Sequence, residues 1–356
     1  MPTESAELSL LSIISLLSFF IFLIVSKFSA NIKNGILLDG DFEKPQAFHS
    51  EAIPRSGGLA GLVSLILFFI LYFILFEKLL LDYIFLSFGI FSLGFLEDIK
   101  FKISPLYRLV LMITILILFI LFFTINISGV DLPFLNMWMR NPLFNLLFVL
   151  LCFLFIINGA NLVDGFNGLL TIHLLIINSL LMFLNFESGN SNLGWIITAQ
   201  IVVLFCFLVF NFPTAKMFMG DGGSYLFGSL LAYNIIETTN QNPNLSSFFF
   251  CILLFYLFFE VFFSFFRKIY LKKSPLKPDN KHLHMLLFTF LEKPKRFKDC
   301  NYLNSLVINS AYLFLIIPGI FFRNDGSVCR YLFFFLLLLY LIFYFFLNKY
   351  DKKNNF

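Results

Sequence analysis

Long apolar stretches alternate with short polar segments along the whole chain. The stretches hold about 20 residues each, which is the length that a helix needs to cross the hydrocarbon core of a bilayer. The pattern predicts an all-α fold with eleven membrane-spanning helices. Their predicted bounds are residues 8–28, 58–76, 79–96, 106–124, 142–157, 168–186, 194–212, 223–236, 247–267, 301–322 and 330–348.

The composition agrees with this pattern and excludes a soluble domain. Of the 356 residues, 59% are hydrophobic and only 13% are charged, far from the balance of a soluble protein. We therefore predict a polytopic membrane protein that forms one transmembrane domain over residues 1–356. Its longest polar connection is a basic loop at residues 268–300.

Positive charges divide unequally between the two sides of the predicted membrane. If consecutive connections alternate sides, all but four of the 25 Lys and Arg residues fall on one side. The exceptions are Lys78, Arg140, Arg323 and Arg330. The positive-inside rule makes the richer side cytoplasmic, with the amino terminus outside and the carboxyl terminus inside. Five polar segments then share the cytoplasmic side, at residues 39–58, 97–108, 158–169, 211–224 and 268–300.

Two of these segments carry carboxylates next to a predicted membrane boundary. Asp221 lies in a Gly-rich stretch just before a helix, where backbone N–H groups can face an anion while the carboxylate binds a divalent cation. A Gly-rich turn capped by Asp221 is the simpler alternative. The adjacent acids Glu97 and Asp98 repel each other unless a cation lies near them, and Mg²⁺ prefers such oxygen ligands. An acidic loop paired with neighbouring lysines is the alternative there.

The segment at residues 158–169 interrupts an apolar run with polar side chains and glycines. Its polar residues at three-residue spacing are Asn158, Asn161, Asp164 and Asn167. Steps of three slip by about 60° around an α-helix, so these side chains reach a common site only if the helix unwinds, which Gly165 and Gly168 permit. Amides beside a carboxylate offer the donors and acceptors that a base, ribose or sugar requires. A polar turn between helices is the alternative.

The basic loop holds two histidines, His282 and His284, beside lysines. No further His or well-placed Cys completes a tetrahedral zinc set, whereas imidazoles near cations suit phosphate oxygens. A basic segment lying on anionic lipid headgroups is the alternative. Upstream, Glu260 and Arg267 share a helix face at seven-residue spacing, and Glu260 lies too deep in a span to remain unpaired.

Five motifs together resemble one family. They are Pro54-Arg-Ser-Gly-Gly58, Gly94-Phe-Leu-Glu-Asp98, Asn158-Gly-Ala-Asn-Leu-Val-Asp-Gly-Phe-Asn-Gly-Leu169, Phe218-Met-Gly-Asp-Gly-Gly-Ser224 and Pro278-Asp-Asn-Lys-His-Leu-His284. In this order, within about residues 40–290, they resemble the polyprenyl-phosphate N-acetylhexosamine-1-phosphate transferases. The resemblance implies that undecaprenyl phosphate attacks the sugar-side phosphorus of a UDP-N-acetylhexosamine and expels UMP. It also implies a Mg²⁺ cofactor, with Mn²⁺ as the alternative.

The resemblance implies roles for individual residues as well. Asp221 is the principal metal ligand, and Asp98, with Glu97, binds metal or deprotonates the lipid phosphate. The catalytic set is Asp98, Glu97 and Asp164, and the substrate-binding set is Asn158, Asn161, Asn167, Arg267, His282 and His284. The implied location is the bacterial cytoplasmic membrane, with the site facing the cytoplasm. No nucleic-acid partner is expected, and homodimerisation is left open.

Three positions depart from the family pattern. Glu97 and Asn167 stand where many members have Asp, and Met285 stands where many have a third His. The last departure points to the branch that initiates surface polysaccharides such as O-antigen. The rival within the family is phospho-N-acetylmuramoyl-pentapeptide transferase. The rival from another class is a transporter or flippase, which would more often place ionisable groups near mid-bilayer.

Overall fold

The computed structural model describes residues 2–29, 32, 35–40, 52–275, 279–292 and 300–353. Their secondary structure is almost entirely helical, which confirms the all-α prediction. The helices are α1 (Pro2–Phe28), α2 (Gly57–Phe76), α3 (Leu81–Asp98), α4 (Pro105–Phe122), α5 (Pro133–Met139), α6 (Pro142–Val163), α7 (Leu169–Glu187), α8 (Ser191–Asn211), α9 (Gly220–Gln241), α10 (Ser247–Leu253), α11 (Phe255–Tyr270), α12 (Leu283–Glu292), α13 (Cys300–Phe321) and α14 (Gly326–Lys353). A short antiparallel hairpin pairs β1 (Leu38–Asp39) with β2 (Ile53–Pro54).

Fewer helices than predicted meet the length and hydropathy of a membrane span. In the described part of the chain eight do so: α1, α2, α4, α6, α7, α8, α13 and α14. The consecutive helices α10 and α11, bent by 75°, make a ninth if they are counted together. The predicted number of eleven is therefore too high by this measure. The other two predicted spans correspond to α3 and α9. These are helices of 18 and 22 residues, but their acidic and polar side chains make them less apolar than this measure of a span requires. The chain is an integral membrane protein.

Helix α9 lies in the middle of the fold, and most of its residues are buried. It packs against α2, α3 and α6. Glycines make its first turn a place of close backbone contact: a Cβ added to Gly58 would lie 2.3 Å from the amide nitrogen of Gly223, and one added to Gly94 would lie 2.3 Å from the carbonyl oxygen of Asp221. Small residues of this kind allow membrane helices to approach closely. The contacts fix α2 and α3 against the start of α9.

Backbone hydrogen bonds join the segment before α2 to the segment before α9. The amide of Phe218 donates to the Pro54 carbonyl, and the amides of Gly57 and Gly58 donate to the carbonyls of Phe218 and Met219. The nitrogen–oxygen distances are 2.8–2.9 Å. Together with the β1–β2 pair, these bonds bring residues from distant parts of the sequence to the end of the fold where α9 begins.

The chain unwinds between α6 and α7, as the glycine positions predict. Helix α6 ends at Val163, and α7 begins only at Leu169. Gly168 has a φ of +75°, a left-handed conformation that side chains with a Cβ rarely adopt. Its amide donates to Oδ1 of Asn211 at 2.6 Å. The unwound residues 164–168 are thereby held against the end of α8, near the start of α9.

Candidate active site

One cavity of about 830 Å³ collects residues from all five sequence motifs. Each motif contributes at least one residue to the cavity wall: Arg55, Glu97, Asn161, Asp221 and His282, in chain order. The five motifs therefore meet around one space, and their location on the cytoplasmic side stays a prediction. Of the predicted site residues, those that line the cavity are Glu97, Asn158, Asn161, Asp164, Asn167, Asp221 and His282.

Three predicted site residues do not line the cavity: Asp98, Arg267 and His284. Asp98 is 2% exposed, and its two carboxylate oxygens accept the backbone N–H groups of Asp221 and Gly222 at 2.9 and 2.8 Å. A carboxylate at a helix N-terminus satisfies free N–H groups and matches the helix dipole. Asp98 thus holds the first turn of α9 in place, so that Asp221 faces the cavity. The divergence of Glu97 from Asp98 agrees with their being neighbours on one helix.

Two arginines on the cavity wall had no role predicted from the sequence. Arg55 is anchored by Asp39, whose Oδ2 lies 3.0 Å from Nε and 2.6 Å from Nη2. Its remaining terminal nitrogen, Nη1, lies 3.9 Å from Asp221 and 4.0 Å from Asp98. These carboxylates raise the pKa of Arg55 even though burial opposes that shift. The position of Arg55 inside the motif at residues 54–58 was the available signal.

Arg108, the second of these arginines, lies on the first turn of α4. Its Nη1 is 3.3 Å from Asp221 and 3.4 Å from Glu97, so it bridges the two carboxylates that face the cavity. No sequence motif marks it, because its partners are far away in the chain. Together Arg55 and Arg108 place positive charge beside an otherwise acidic wall.

The segment at residues 158–169 presents its amides in three different ways. Asn161 donates to the Ser224 hydroxyl at 3.0 Å, which ties this segment to the start of α9. Asn167 donates to the Pro213 carbonyl at 2.9 Å, while its own backbone N–H donates to Oδ1 of Asn301 at 2.8 Å. Asn158 donates to the carbonyl one turn before it. All three line the cavity, and each side chain keeps an acceptor oxygen for recognition of a ligand.

Asp164 follows the last residue of α6 and lies on the cavity wall. Burial, and secondarily the negative charge of Asp221, raise its pKa to about 7, although Arg55 opposes the shift. A carboxyl group whose pKa is close to neutral pH can accept and release a proton during a reaction.

The histidines occupy different environments. His282 lines the cavity, with Nδ1 3.2 Å from Oε2 of Glu260 and Nε2 3.3 Å from Oδ1 of Asp279. His284 is fully buried, contacts the Tyr256 hydroxyl, and its Nε2 has no hydrogen-bond partner among the described residues. Burial lowers the pKa of His284 to about 3. His284 therefore packs as a neutral ring behind His282. Pro278, which opens the family motif, lies outside the described residues.

Arg267 does not pair with Glu260, although the two share a helix. Its Nη2 binds both carboxylate oxygens of Asp279 at 3.0 and 3.1 Å, and its Nη1 donates to the Lys281 carbonyl at 2.6 Å. The guanidinium therefore organises the segment that carries His282. Glu260 pairs with His282 instead, which sequence spacing could not indicate because the two belong to different elements.

The opposite end of the cavity is apolar. It lies one or more turns deeper along α4 and α6 and is completed by α11 beyond the bend. The lining residues there are Leu109, Met112, Leu151, Leu154, Phe155, Val261, Phe262, Phe265 and Phe266. Arg108 stands directly before Leu109, where the acidic end meets the apolar end. A single ligand with a charged head and a hydrocarbon tail matches this division.

The carboxylates at the acidic end have the chemistry of a Mg²⁺ site. Asp221 and Glu97 offer oxygen ligands, and Oε2 of Glu97, which lies 3.4 Å from Arg108, makes no hydrogen bond in the described part of the chain. Mg²⁺ is usually held by one or two carboxylates, with waters and substrate phosphates as the other ligands. Among the described residues no group of three or more His, Cys, Asp or Glu is arranged to hold a metal ion. The residues therefore fit an ion shared with a phosphate ligand rather than one enclosed by protein.

Comparison with known proteins shows which sequences this chain resembles. Residues 80–239 match the model of glycosyl transferase family 4. An undecaprenyl-phosphate alpha-N-acetylglucosaminyl 1-phosphate transferase of Thermotoga maritima is 29% identical over 274 residues, which cover 76% of this chain and 78% of that protein. Over residues 80–239 the chain is therefore similar to glycosyl transferase family 4. The family match includes Glu97, Asp164 and Asp221, whereas Arg55 and His282 lie outside it.

Two further relatives differ in the transferase that their names describe. A probable undecaprenyl-phosphate N-acetylglucosaminyl 1-phosphate transferase of Bacillus subtilis is 27% identical over 249 residues, or 68% of this chain and 67% of that protein. A phospho-N-acetylmuramoyl-pentapeptide-transferase of Clostridium perfringens is 33% identical over 164 residues, or 44% of this chain. The chain spans about half the length of this last relative, 51%.

Proposed function

We propose that the protein transfers a sugar 1-phosphate from a UDP-N-acetylhexosamine to undecaprenyl phosphate. An oxygen of the lipid phosphate attacks the sugar-side phosphorus of the nucleotide sugar, the bond from that phosphorus to the UMP oxygen breaks, and UMP leaves. The product is a polyprenyl-diphosphate-linked sugar that initiates O-antigen or another surface glycan. The names of the Thermotoga and Bacillus relatives support this acceptor and this type of transfer.

One observation carries the proposal: a single cavity joins a polar end, where carboxylates, amides and arginines meet, to an apolar end between membrane helices. Attack of one phosphate on another requires that two anions be held side by side in a fixed geometry. The apolar end receives the first isoprene units of the prenyl chain, so the lipid phosphate lies at Arg108. The nucleotide sugar then occupies the remaining polar end, beside Arg55, the unwound segment and His282.

The protein's own groups have separable tasks in this scheme. Arg55 and Arg108 offset the negative charge of the phosphates, because guanidinium groups bind phosphate oxygens with two parallel N–H donors. Asn158, Asn161 and Asn167 hold the uridine or sugar through amide contacts. Asp164, with its pKa near 7, accepts the proton of the lipid phosphate. Asp98 keeps Asp221 in position through the backbone of α9.

Asp221 and Glu97 are the residues that would hold a Mg²⁺ ion, for which Mn²⁺ is the alternative. When bound, the ion supplies positive charge that stabilises the phosphates during transfer. The asymmetry of Lys and Arg supports a cavity that opens to the cytoplasm of a bacterium from its inner membrane. Cytosolic nucleotide sugar reaches such a cavity directly.

The test is the release of UMP by purified protein in detergent with undecaprenyl phosphate, Mg²⁺ and a UDP-N-acetylhexosamine. We expect stoichiometric UMP and a polyprenyl-diphosphate sugar that mass spectrometry identifies, and we expect EDTA to abolish both until Mg²⁺ is restored. Running UDP-N-acetylglucosamine and UDP-N-acetylmuramoyl-pentapeptide in parallel separates the proposed function from that of the Clostridium relative. No UMP with any donor, where a known homologue is active, would contradict the proposal.

A further inference from the structure

Glu260 is a buried carboxylate that the proposed reaction leaves without a task. It is 1% exposed and belongs to α11, beyond the family-matched region. Three groups contact it: His282 through Nδ1 at 3.2 Å, the backbone N–H of Leu283 at 3.0 Å and the hydroxyl of Tyr340 at 2.8 Å. Burying an ionised carboxylate is costly unless its charge is paired and its oxygens accept hydrogen bonds. Of these three contacts, only His282 can supply a charge.

The second nitrogen of His282 faces another carboxylate. Its Nε2 lies 3.3 Å from Oδ1 of Asp279, on the side of the ring opposite Glu260. Although burial opposes the shift, the Arg267 charge lowers the pKa of Asp279, so Asp279 is ionised at neutral pH. A neutral imidazole carries one N–H and could donate to only one of the two carboxylates. The geometry therefore favours His282 with protons on both nitrogens.

The carboxyl-terminal helix stabilises this arrangement from outside the cavity. Tyr340, Tyr344 and Asp351 lie on one buried face of α14, at spacings of four and seven residues. Tyr340 donates to Glu260, Tyr344 contacts both Arg267 and the Lys281 carbonyl, and Asp351 binds Lys281 Nζ at 2.6 Å. Each contact fixes a residue directly before His282 or the carboxylate that binds it.

We propose that Glu260 and Tyr340 are positioning residues that hold His282 as a doubly protonated, cationic ring on the cavity wall, where Nδ1–H donates to Glu260 and Nε2–H exchanges Asp279 for a phosphate oxygen of the ligand. The identity of that ligand as the diphosphate of a nucleotide sugar rests on the proposed function, whereas the positioning does not. Neither positioning residue lines the cavity, so both act through His282. Helix α14 is thereby part of the site although none of its residues reaches it.

The protonation of His282 depends on the charged and polar groups of all the elements that pack against its ring. Glu260 and Tyr340 act from one side, Asp279 with Arg267 and Lys268 act from the other, and the neutral ring of His284 stacks on it at 5.6 Å. An opposite charge close to an imidazole favours its charged form. E260Q should therefore remove a partner that favours the doubly protonated ring, and Y340F should weaken the same arrangement less.

Nitrogen-15 NMR of the full-length protein, labelled at its four histidines, measures this protonation without any enzyme assay. The signal of His282 is assigned by its loss in H282Q. We expect both ring nitrogens of His282 to be protonated near neutral pH, and one to be unprotonated in E260Q. Y331F, which alters a tyrosine 72% exposed on the same helix, is the matched control and should change nothing. A neutral His282 in the unaltered protein, or one that E260Q and Y340F leave unchanged, overturns the proposal.

Release of UMP then tests the consequence for the ligand. E260Q should raise KM for the nucleotide sugar about tenfold or more, an energy within the range of a charged hydrogen bond, and should move the alkaline limb of kcat/KM to lower pH. KM for undecaprenyl phosphate should change little. If Y340F, which keeps the buried charge, lowers thermal stability but leaves KM and the pH profile unchanged, the contacts are only structural. UMP absent from every variant, with the NMR result as expected, contradicts the proposed function and leaves the positioning intact.

Discussion

The two charged walls of the cavity are built by different means. The carboxylate wall, formed by Glu97 and Asp221 with Asp98 behind them, is fixed by backbone: Asp98 binds two amides of α9, and Gly94 approaches the main chain of Asp221 closely. The histidine wall, formed by His282 with the carboxylates of Glu260 and Asp279 behind it, is fixed by side chains from three parts of the chain: α11, the segment before α12, and α14. Backbone contacts leave no room for substitution, whereas side-chain contacts can be changed one at a time. Substitutions in the carboxylate wall should therefore abolish activity, whereas substitutions around the histidine wall should change it by degrees.

The largest expected effects are those of D221N and D98N, and the two variants should differ in stability. D221N should reduce UMP release by at least about 10²–10³-fold, since it removes a group that faces the reacting phosphates. Its thermal stability should stay close to that of the unaltered protein, because Asp221 is partly exposed and contacts arginines at 3.3 Å or more. D98N should lose both activity and stability, since hydrogen bonds to a charged acceptor contribute about 1.5–3 kcal/mol.

Thermal unfolding and UMP release, measured on both variants, decide between the two roles. The distinction between the facing and the supporting carboxylate fails if D98N retains its melting temperature, or if D221N melts many degrees lower. A D221N protein with near-normal turnover removes Asp221 from the site.

A glycine pair on α3 provides a more local test of the backbone-built wall. A Cβ at Gly94 would lie 2.3–2.5 Å from backbone atoms of Asp221 and Gly222, whereas one at Gly89 would meet only the Ile115 side chain, at 2.9 Å. G94A should push α3 from α9 and cost about 1–3 kcal/mol or more. G89A, the matched control on the same helix, gains helix propensity and needs only a small side-chain adjustment.

Melting temperature and detergent-solubilised yield measure the difference between the two variants. G94A should also lose activity more than proportionally to stability, because displacement of α9 moves Asp221. Equal melting temperatures for G94A and G89A would show that the close approach of α3 and α9 does not constrain the wall.

The same contrast explains what the sequence could and could not predict. Helices, their order and the meeting of the motifs follow from apolar runs and from glycines beside polar residues, which are local signals. Fewer than eleven segments reach the hydropathy of a lipid-facing span because α9 is surrounded by protein, so it can carry Asn234 and Thr238 without exposing them to lipid. The sequence does not indicate that Arg108 pairs with Asp221 or that Glu260 pairs with His282, because the residues of each pair are far apart in the chain. Similarly, Asp98 was assigned to the site itself although it supports α9 from behind.

The smallest expected effect concerns Asp164, which contributes to neither wall. In the unfolded chain its pKa is near the ordinary 3.8, and in the folded protein it is about 7, so the folded state binds the proton more tightly. Stability from this group is therefore present at low pH and is lost as the pH rises from about 4 to about 7. In buffer with EDTA, D164N should melt a few degrees above the unaltered protein at about pH 8 and at nearly the same temperature at about pH 4. Since the Asp221 charge contributes to the shift, the difference should shrink in a D221N background. A D164N advantage that stays constant across this range would mean that Asp164 is ionised throughout and is not the proton acceptor of the site.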